Sequence, residues 1–558
     1  MKKHIFLSAA LLLLTASCSN DENNEQKEPT QTVQFSFTNE DFGEDETPTR
    51  AGAAETKPQT IDLGDCEAEI TVESEPAAKK TRGAQTPANG HYTIRAYQSG
   101  VLKGEIKGTF NGTTFTPDAT SKSEIYLMPH GNYDFVAFND DVTPSGNDLI
   151  VTRDKAETAM IGTVTENINQ EPKQQVTFTM KHVGARLRTQ FVCQKHIPEN
   201  ITATLEATAA NAIPISVAYN PATKTYTGVG GAMTPKQNNS LASTEEKYTA
   251  SNYGENYSYT STSDYHYFLP TTEGSKLKLT GISAGTVFWK PIPVFNISQL
   301  NATLQMAANK SYLVKIKLKP TYTYLMSDGT TGFFRDTTFG GGSKTPIAVA
   351  IEPNKHLAIA LQEATNPPGN TWTTPVYSDV QVNIDVKTKF SDMFVLENGY
   401  EETWDPNYST NNVTGEKIKG KNPQFPAFKA AAEYSPTLPS GVNLTNGMEN
   451  KKWYLPACGE TKYVAGLGFG DVSSITDFAV ISNWYGRLAN IAFTQVNGTT
   501  ILPFYSFGQE KWFWSTSEYV NPNGHYSACS MGIHPDYVSW YAPGRTNSLW
   551  KIRAFINY

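Results

Sequence analysis

Apolar and polar residues alternate along much of the chain between residues 60 and 320. The runs His91 to Gly100 and Ser311 to Pro320 both show this pattern. Successive side chains of a strand point to opposite faces, so an alternation of period two predicts half-buried strands. The runs are short, and turn residues such as Pro129 to Asn132 separate them, which is typical of β-sandwiches. This part of the chain is therefore predicted to be mostly β.

The pattern changes in the last third of the chain. Eight of the nine tryptophans lie after residue 370, and a glycine-rich stretch over residues 321–344 precedes them. Such a change of composition predicts a linker followed by a further domain over residues 345–558. Phe425 to Tyr434 reads as a short helix with Pro426 in its first turn. A second helix after Trp453 and several closing strands make this domain α+β.

The first residues read as a targeting signal. Lys2 and Lys3 precede an apolar run, Ile5 to Leu14, that is too short to span a bilayer comfortably. Small residues then lead to Cys18 in a pattern that resembles a bacterial lipobox, where the cysteine is acylated and becomes the mature N-terminus. The resemblance implies a signal peptide over residues 1–17 and a lipid on Cys18. The alternative is an ordinary secretory signal with a chance cysteine.

Residues 18–58 are predicted to form a polar tether, because they are rich in Glu, Asn, Thr and Pro and show no sustained apolar period. The acidic start of this tether resembles the export signal of surface lipoproteins in the Bacteroidetes. Within it, Arg50 is followed by the small residue Ala51, which an exposed protease site tolerates. Arg82 is a second candidate for cleavage. The alternative is that each arginine is a solvated charge.

Overall composition excludes one class of partner. The net charge is −8, and the chain has no basic stripe that would neutralise phosphates, so we expect no nucleic-acid partner. Apolar residues make up 39% of the chain and charged residues 18%, which is enough to form globular cores. No later apolar run approaches the roughly 20 residues of a spanning helix, so the lipid is the predicted membrane anchor before processing.

Over residues 18 to 320 the order of signals resembles the fimbrillin-like pilins of the Bacteroidales. The most specific run in this part comprises Val176, Phe178, Met180, His182, Ala185, Arg186 and Leu187. The resemblance implies two tandem transthyretin-like β-sandwiches, over residues 59–182 and 183–320. It also implies an outer-membrane lipoprotein that is exported to the cell surface and cut after an arginine, best matched by Arg50. The lost leading strand would be replaced by a strand of another fimbrial subunit, which is β-augmentation in physical terms.

Residues 345 to 558 resemble the C-type-lectin-like modules of Bacteroidetes surface proteins. Three ordered motifs carry this resemblance: Trp453 to Pro456 with Glu460, Trp514 to Tyr519, and Ile552 to Phe555. Ala457 stands where relatives carry a helix-capping serine, which predicts a weaker cap.

Several residues raise the question of catalysis or metal binding. The run Lys511 to Tyr519 combines hydroxyls, aromatics and a carboxylate, but no G-x-S-x-G or H-E-x-x-H motif occurs, so we interpret it as a core strand. Cys458 and Cys529 are predicted either to pair or to remain buried thiols. A remote alternative, an oxidase similar to formylglycine-generating enzymes, would need two cysteines in a groove. We predict no enzyme activity and no cofactor. The triplets Asp405 to Asn407 and His534 to Asp536 are poor copies of calcium loops, so no metal is predicted.

Together these features predict the tip subunit of a cell-surface fimbria, because a globular domain follows the two sandwiches where a shaft pilin would donate its strand. The subunit is predicted to be an adhesin with an unknown host or bacterial ligand that could be a glycan. The rival is a non-polymerising surface lipoprotein that binds glycan or protein. Candidate ligand-binding residues are Trp512, Trp540 and Tyr541, with the alternative that the last two cover the core.

Overall fold

The computed structural model describes most of the 558 residues in separate ranges: 30–43, 58–64, 66–75, 88–121, 127–169, 173–194, 197–243, 259–288, 290–364, 370–470, 472–476, 484, 486–502, 510–535 and 537–558. The protein is mostly β, which confirms the fold class predicted from the alternation. None of the described helices has the length or the apolar run that crossing a bilayer requires.

Strands account for nearly all regular structure before residue 321. Those of the first third are β1 (Thr30–Glu40), β2 (Gln59–Asp62), β3 (Cys66–Ser74), β4 (Gly90–Gln98), β5 (Val101–Phe110), β6 (Phe115–Pro117), β7 (Leu127–Pro129), β8 (Gly131–Asn139), β9 (Thr143–Ser145), β10 (Asp148–Thr152), β11 (Met160–Ile168) and β12 (Lys173–His182). Those of the middle third are β13 (Ala185–Cys193), β14 (Thr202–Ala207), β15 (Ile213–Asn220), β16 (Thr225–Gly231), β17 (Lys236–Gln237), β18 (Tyr259–Thr262), β19 (His266–Phe268), β20 (Leu277–Ser283), β21 (Thr286–Val287), β22 (Lys290–Pro291), β23 (Phe295–Ile297) and β24 (Ser311–Pro320).

The last part of the chain adds short helices to further strands. Its strands are β25 (Tyr324–Met326), β26 (Thr331–Gly332), β27 (Pro346–Glu352), β28 (Leu357–Ala360), β29 (Val386–Lys387), β30 (Lys511–Val520), β31 (Tyr526–Ile533), β32 (Val538–Tyr541) and β33 (Phe555–Asn557). Its helices are α1 (Gly399–Trp404), α2 (Pro426–Ala432), α3 (Cys458–Thr461) and α4 (Gly486–Thr494). This C-terminal region is therefore α+β.

The first unit is built on one eight-stranded sheet with the order β6-β5-β4-β8-β11-β12-β1-β7. The sheet curls until Phe35 of β1 meets Phe115 of β6, with ring centroids 5.8 Å apart, so its inner face encloses a core. A smaller sheet, β16-β15-β10-β9, covers part of the outer face through Leu149 and Val217. Apolar side chains therefore cover the inner face of the eight-stranded sheet and part of its outer face.

The second unit pairs strands from distant parts of the chain. Its larger sheet has the order β18-β13-β24-β3-β2, with β19 also paired to β13, and β17-β14-β20-β23 form the facing sheet. In the larger sheet, β24 runs parallel to β13 and antiparallel to β3, so Ile316 lies opposite Phe191 on one side and Ile70 on the other. All three residues are buried in one core.

The C-terminal region contains two sheets, β26-β25-β27-β28-β33 and β29-β30-β31-β32. The hydrophobic core of the second unit continues into this region: Phe288 of the second unit packs on Phe469, with ring centroids 5.1 Å apart. Arg335 adds ion pairs to Asp62 and Glu67 at 3.1 and 2.9 Å. The C-terminal region is therefore packed against the second sandwich.

The predicted domain limits differ from the structure in three places. The predicted tether contains β1. The polar composition of residues 18–58 hides the apolar alternation within Thr30–Glu40. β2 and β3 belong to the second unit, and β15 and β16 pair with the first, since alternation within a strand does not reveal which distant strand is its partner. The predicted linker includes β25, whose three residues are buried and which pairs with β27.

Candidate functional sites: a strand-filled groove and an aromatic surface

The leading strand β1 fills a groove between β12 and β7. It runs parallel to β12, so Val33 lies opposite Gln174 and Glu40 opposite Lys181, and its first residues run antiparallel to β7. Val33, Phe35 and Phe37 point inward and are 0%, 4% and 1% exposed. The residues between them point outward, as the period of a strand requires.

Aromatic contacts hold β1 in this groove. Phe37 stacks on Tyr92 with centroids 4.4 Å apart and on Phe178 at 5.3 Å. Phe35 meets Phe135 edge to face at 6.2 Å. Burying each such ring stabilises the folded state by about 1.5–3 kcal/mol, so a groove without β1 would expose a large apolar surface. A vacated groove of this kind is a template for another strand.

The residues predicted for lipidation and cleavage lie outside the described ranges. These residues are Cys18, Arg50, Ala51 and Arg82. Their chain positions still relate them to the groove, because β1 ends at Glu40 and the next described strand, β2, begins at Gln59 in the other unit. Arg50 therefore belongs to the segment that joins the two units, and a cut there would separate β1 from everything that follows.

The second candidate site is an aromatic surface on the C-terminal region, formed by Trp512, Tyr541, Leu549 and Trp550. The centroid distances are 6.2 Å from Trp512 to Tyr541, 5.7 Å from Trp512 to Trp550 and 6.4 Å from Tyr541 to Trp550. Tyr541 is 54% exposed and Leu549 is 80% exposed, Trp512 is half-buried, and Trp550 is only 9% exposed. An exposed aromatic side chain packed beside further aromatic rings is a feature of many binding sites.

The prediction that Trp540 belongs to this surface is wrong. Trp540 is 2% exposed, its Nε1 donates a hydrogen bond to Thr461 Oγ1 at 2.9 Å, and its ring packs edge to face on Phe394. It lies opposite Met531 in the register of β31 and β32. Neighbouring residues of a strand point to opposite faces, so Trp540 enters the core while Tyr541 points to solvent. Sequence reasoning missed Trp550 and Leu549, which precede the closing strand.

A glycine allows Trp512 to take its position. Trp512 lies opposite Gly532 in the pairing of β30 and β31. A methyl group added at Gly532 would meet three atoms of the six-membered ring of Trp512 at 2.8 Å each. The equal distances show that the ring lies with one face against the glycine. The part of an indole that solvent reaches can contact the C–H face of a sugar or anchor a protein.

The burial of β30 argues against catalysis by its hydroxyl groups. Residues 513–518 are all buried, so both faces of the strand are covered. Ser515 Oγ donates to Cys529 O at 3.0 Å, and Ser517 Oγ accepts from Cys458 N at 2.8 Å. These two hydroxyls hold neighbouring main chain and present no nucleophile to a substrate, which confirms the interpretation as a core strand.

The same strand compensates for the missing capping serine. Ala457 precedes α3 and offers no side-chain cap, as the sequence predicts. Ser517 instead accepts from the first N–H of the helix, and Glu460 Oε2 accepts from Ala457 N at 2.6 Å. Burial raises the pKa of Glu460 to about 7, although hydrogen bonds from Ala457 and Tyr454 oppose the shift. The first turn of α3 is therefore capped from another strand.

A buried ion pair between β30 and a loop lies in the same part of the core. Glu518 and Arg545 are fully buried with Nη2 and Oε1 3.1 Å apart, and Glu518 also accepts from Val382 N and Asn383 N at 3.1 and 2.6 Å. Burial raises the pKa of Glu518, and Arg545 opposes that shift. Burial lowers the pKa of Arg545. Neither group reaches solvent, so the pair ties β30 to two loops rather than performing chemistry.

Cys458 and Cys529 meet in the interior. Both are 0% exposed, and their sulfur atoms are 2.8 Å apart. Burial raises the pKa of the Cys458 thiol well above its usual range, so this group stays protonated and weakly nucleophilic. A formylglycine-type oxidase would need its cysteines open to a substrate groove, and this pair is not.

The weak calcium motifs have other roles. Asp405 accepts a hydrogen bond from Asn407 N at 2.8 Å and so begins a short helical turn. His534 stacks on Tyr537 with centroids 3.7 Å apart. Within the described ranges, no group of three or more His, Cys, Asp or Glu residues is arranged to hold a metal ion.

Comparisons with known proteins give distant structural similarity. No protein-family model matches the chain, and no curated protein matches it. A fimbrial protein from Bacteroides vulgatus aligns at 12% identity over 41% of this chain and 91% of that chain, with a TM-score of 0.27. A fimbrial protein from Bacteroides ovatus aligns at 11% identity over 96% of this chain and 100% of that chain, with a TM-score of 0.21. Such low TM-scores do not define how the units are arranged.

Proposed function

We propose that the protein is a subunit of a cell-surface fimbria in which β1 is removed and replaced by a strand of a neighbouring subunit. One observation carries this proposal: β1 occupies an inner position of its sheet, and the chain that joins it to the rest contains Arg50. A cut after Arg50 would leave β1 held only by non-covalent contacts. Its buried residues, Val33, Phe35 and Phe37, define three inward pockets that a replacing strand would fill.

Within the fibre, we place this subunit at the tip. The segment Phe555–Asn557 is paired with β28 and packed against Tyr454, and Phe555 and Ile556 are each 1% exposed. This segment is therefore held in its own sheet and is not available as a donor. A subunit that accepts a strand without giving one ends a polymer.

The tip position makes the aromatic surface the candidate adhesive site. Trp512 and Tyr541 offer rigid rings at low entropy cost, and such rings recognise sugar C–H faces or protein anchors. A C-type-lectin-like role for this region agrees with its α+β composition and its surface aromatics. The ligand class we favour is a glycan of a host or bacterial surface.

The proposal is tested by the start of the mature chain. Before assembly, we expect Cys18 to carry an acyl chain, so Cys18→Ala should abolish labelling with a fatty-acid analogue and leave the protein in the periplasm. In fimbriae sheared from cells, the chain should begin at Ala51. A lipidated, uncut chain that stays in the outer membrane would contradict the proposal and favour a non-polymerising surface lipoprotein. A chain that begins at Gly83 would show that Arg82 is the cleavage point.

We expect Tyr541→Ala to weaken adhesion at least tenfold while changing the free energy of unfolding by no more than about 0.5 kcal/mol, since the side chain is exposed. Adhesion to host and bacterial cells and urea unfolding measure the two effects. Phe339→Ala is the matched control, because Phe339 is also an exposed aromatic residue, 48% exposed, but lies in the predicted linker. Full adhesion by the Tyr541 variant would exclude the aromatic surface as the site.

A location outside the cytoplasm has a consequence for Cys458 and Cys529. An extracytoplasmic thiol–disulfide oxidant would take two electrons and two protons from the pair and leave a disulfide. We expect protein isolated from the cell surface to resist alkylation at both cysteines after unfolding without reductant. Reduction should then lower stability by about 2–4 kcal/mol. Cys193→Ser is the control: Cys193 lies in another unit, so Cys458 and Cys529 should resist alkylation in this variant as well. Alkylation of both thiols in unreduced protein would contradict this expectation.

A further inference from the structure

The end of β1 is fixed at the junction between the two sandwiches. Phe42, two residues after the strand, is 4% exposed. Its ring stacks on His182 with centroids 3.9 Å apart and an interplanar angle of 11°. Tyr267 lies 5.7 Å away, and the guanidinium carbon of Arg186 lies 5.2 Å from the ring centroid. We define these three residues, His182, Arg186 and Tyr267, as the junction cage.

The junction cage takes its walls from both units. His182 ends β12 of the first unit, whereas Arg186 and Tyr267 lie on β13 and β19 of the second. The Phe42 ring of the leading segment therefore contacts both sandwiches. His182 is thus a packed histidine between the two units. Its Nδ1 lies 2.8 Å from Glu157 O, which can only accept, so this nitrogen is the donor.

Hydrogen bonds of Asn309 fix the spacing between Phe42 and the groove. Gly43 N donates to Asn309 O at 2.8 Å, and Asn309 Nδ2 donates to Glu40 Oε1 at 2.9 Å. Asn309 is 1% exposed and has a φ of 60°, and its Oδ1 accepts from His182 N at 3.2 Å. One buried side chain thus joins the end of β1 to the end of β12, so the cage lies at a set distance from the last groove pocket.

The chemistry of the cage favours an aromatic ring. The flat face of His182 offers stacking, and burial lowers the pKa of His182, so its ring is held neutral. Arg186 presents its cation to the Phe42 ring and also to the Tyr265 ring, at 4.1 Å. A cation–π contact discriminates between aromatic and aliphatic side chains of similar volume, which apolar burial alone does not do.

We propose that the junction cage is a specificity pocket for the incoming strand: the donor must carry an aromatic residue five positions after the apolar residue that replaces Phe37. This proposal rests on the strand replacement proposed above. The partner is thus an extended segment of a neighbouring subunit, with apolar residues at three alternate positions followed at that spacing by Phe, Tyr or Trp. Three groove pockets alone would accept many amphipathic strands, and the cage narrows the choice.

Peptide exchange tests the pocket. The full chain carries a recognition site for a sequence-specific protease inserted after Arg50 and is cut in the folded state. Labelled peptides covering residues 30–43 then compete for the groove, with fluorescence anisotropy as the measurement. We expect the native peptide to exchange. The Phe42→Ala peptide should bind at least 100-fold more weakly and Phe42→Leu about two- to tenfold more weakly. Gln34→Ala, at an exposed position, should bind as the native peptide does.

A variant of the cage separates aromatic selection from simple filling. In a chain with Arg186→Gln, the preference for the native peptide over Phe42→Leu should shrink toward one, while Phe42→Ala still binds poorly. Equal binding of the native and Phe42→Ala peptides to the unsubstituted chain would overturn the pocket and leave strand replacement standing. Failure of every peptide, the native one included, would overturn strand replacement and the pocket with it.

Discussion

Replacing Glu518 by alanine is expected to lower the free energy of unfolding by about 3–5 kcal/mol, because it leaves Arg545 as an uncompensated cation in the core. Arg545 is fully buried, and its Nε and Nη1 have no hydrogen-bond partner among the described residues. Its guanidinium also contacts Val380 O at 3.1 Å and the rings of Trp372 and Tyr526 at 5.0 and 5.3 Å. The same substitution also removes the acceptor of two buried N–H groups.

The matched control for this prediction removes the positive charge of Arg545 together with the carboxylate of Glu518. Glu518→Ala combined with Arg545→Met should recover part of the loss, since a neutral side chain of similar length needs no counter-charge. Urea unfolding followed by tryptophan fluorescence measures both variants, because eight of the nine tryptophans lie after residue 370. A cost below about 1 kcal/mol for the single substitution, or no recovery in the double one, would show that the pair is not a supporting contact.

Local periodicity predicted several elements closely. The strand predicted over Ser311 to Pro320 has those limits in the structure, and the helix predicted over Phe425 to Tyr434 is α2. Both are elements whose own residues decide their conformation: a period of two in the strand, and a proline in the first turn of the helix. The mostly β fold follows from such local signals.

Local patterns do not predict which distant strands pair with each other. β3 carries the same alternation as its neighbours, but its partner is β24, more than two hundred residues later. β1 differs from β3 in its sequence signals. Its inward residues, Val33, Phe35 and Phe37, repeat every second position, which predicts a strand. The polar composition of the surrounding residues predicts a tether, so the two signals disagree within one segment.

The aromatic surface shows the same division between local and distant information. Because Trp540 and Tyr541 are adjacent in a strand, alternation alone requires them to point to opposite faces, so they could have been separated from the sequence. Trp550 joins Trp512 and Tyr541 through tertiary packing, and Gly532 matters only because Trp512 lies across it. No local pattern contains these contacts.

The junction between the second sandwich and the C-terminal region contains two phenylalanines in the left-handed backbone conformation. Phe288 has a φ of 54° and Phe469 a φ of 61°, and the two rings stack with centroids 5.1 Å apart. This conformation costs roughly 1–2 kcal/mol for a residue with a side chain, so the packing of each ring must exceed that strain.

Phe469→Ala is therefore expected to lower the free energy of unfolding by about 3–5 kcal/mol and to uncouple the C-terminal region from the second sandwich. Phe469→Gly should cost about 1 kcal/mol less than Phe469→Ala, because glycine adopts positive φ without strain. In the native chain, tryptophan fluorescence and alkylation of Cys193, which lies in the second sandwich, should report one transition. In the Phe469→Ala chain the fluorescence transition should come first. Coincident transitions in that variant would show that the two parts are held together mainly by other contacts, such as the ion pairs of Arg335.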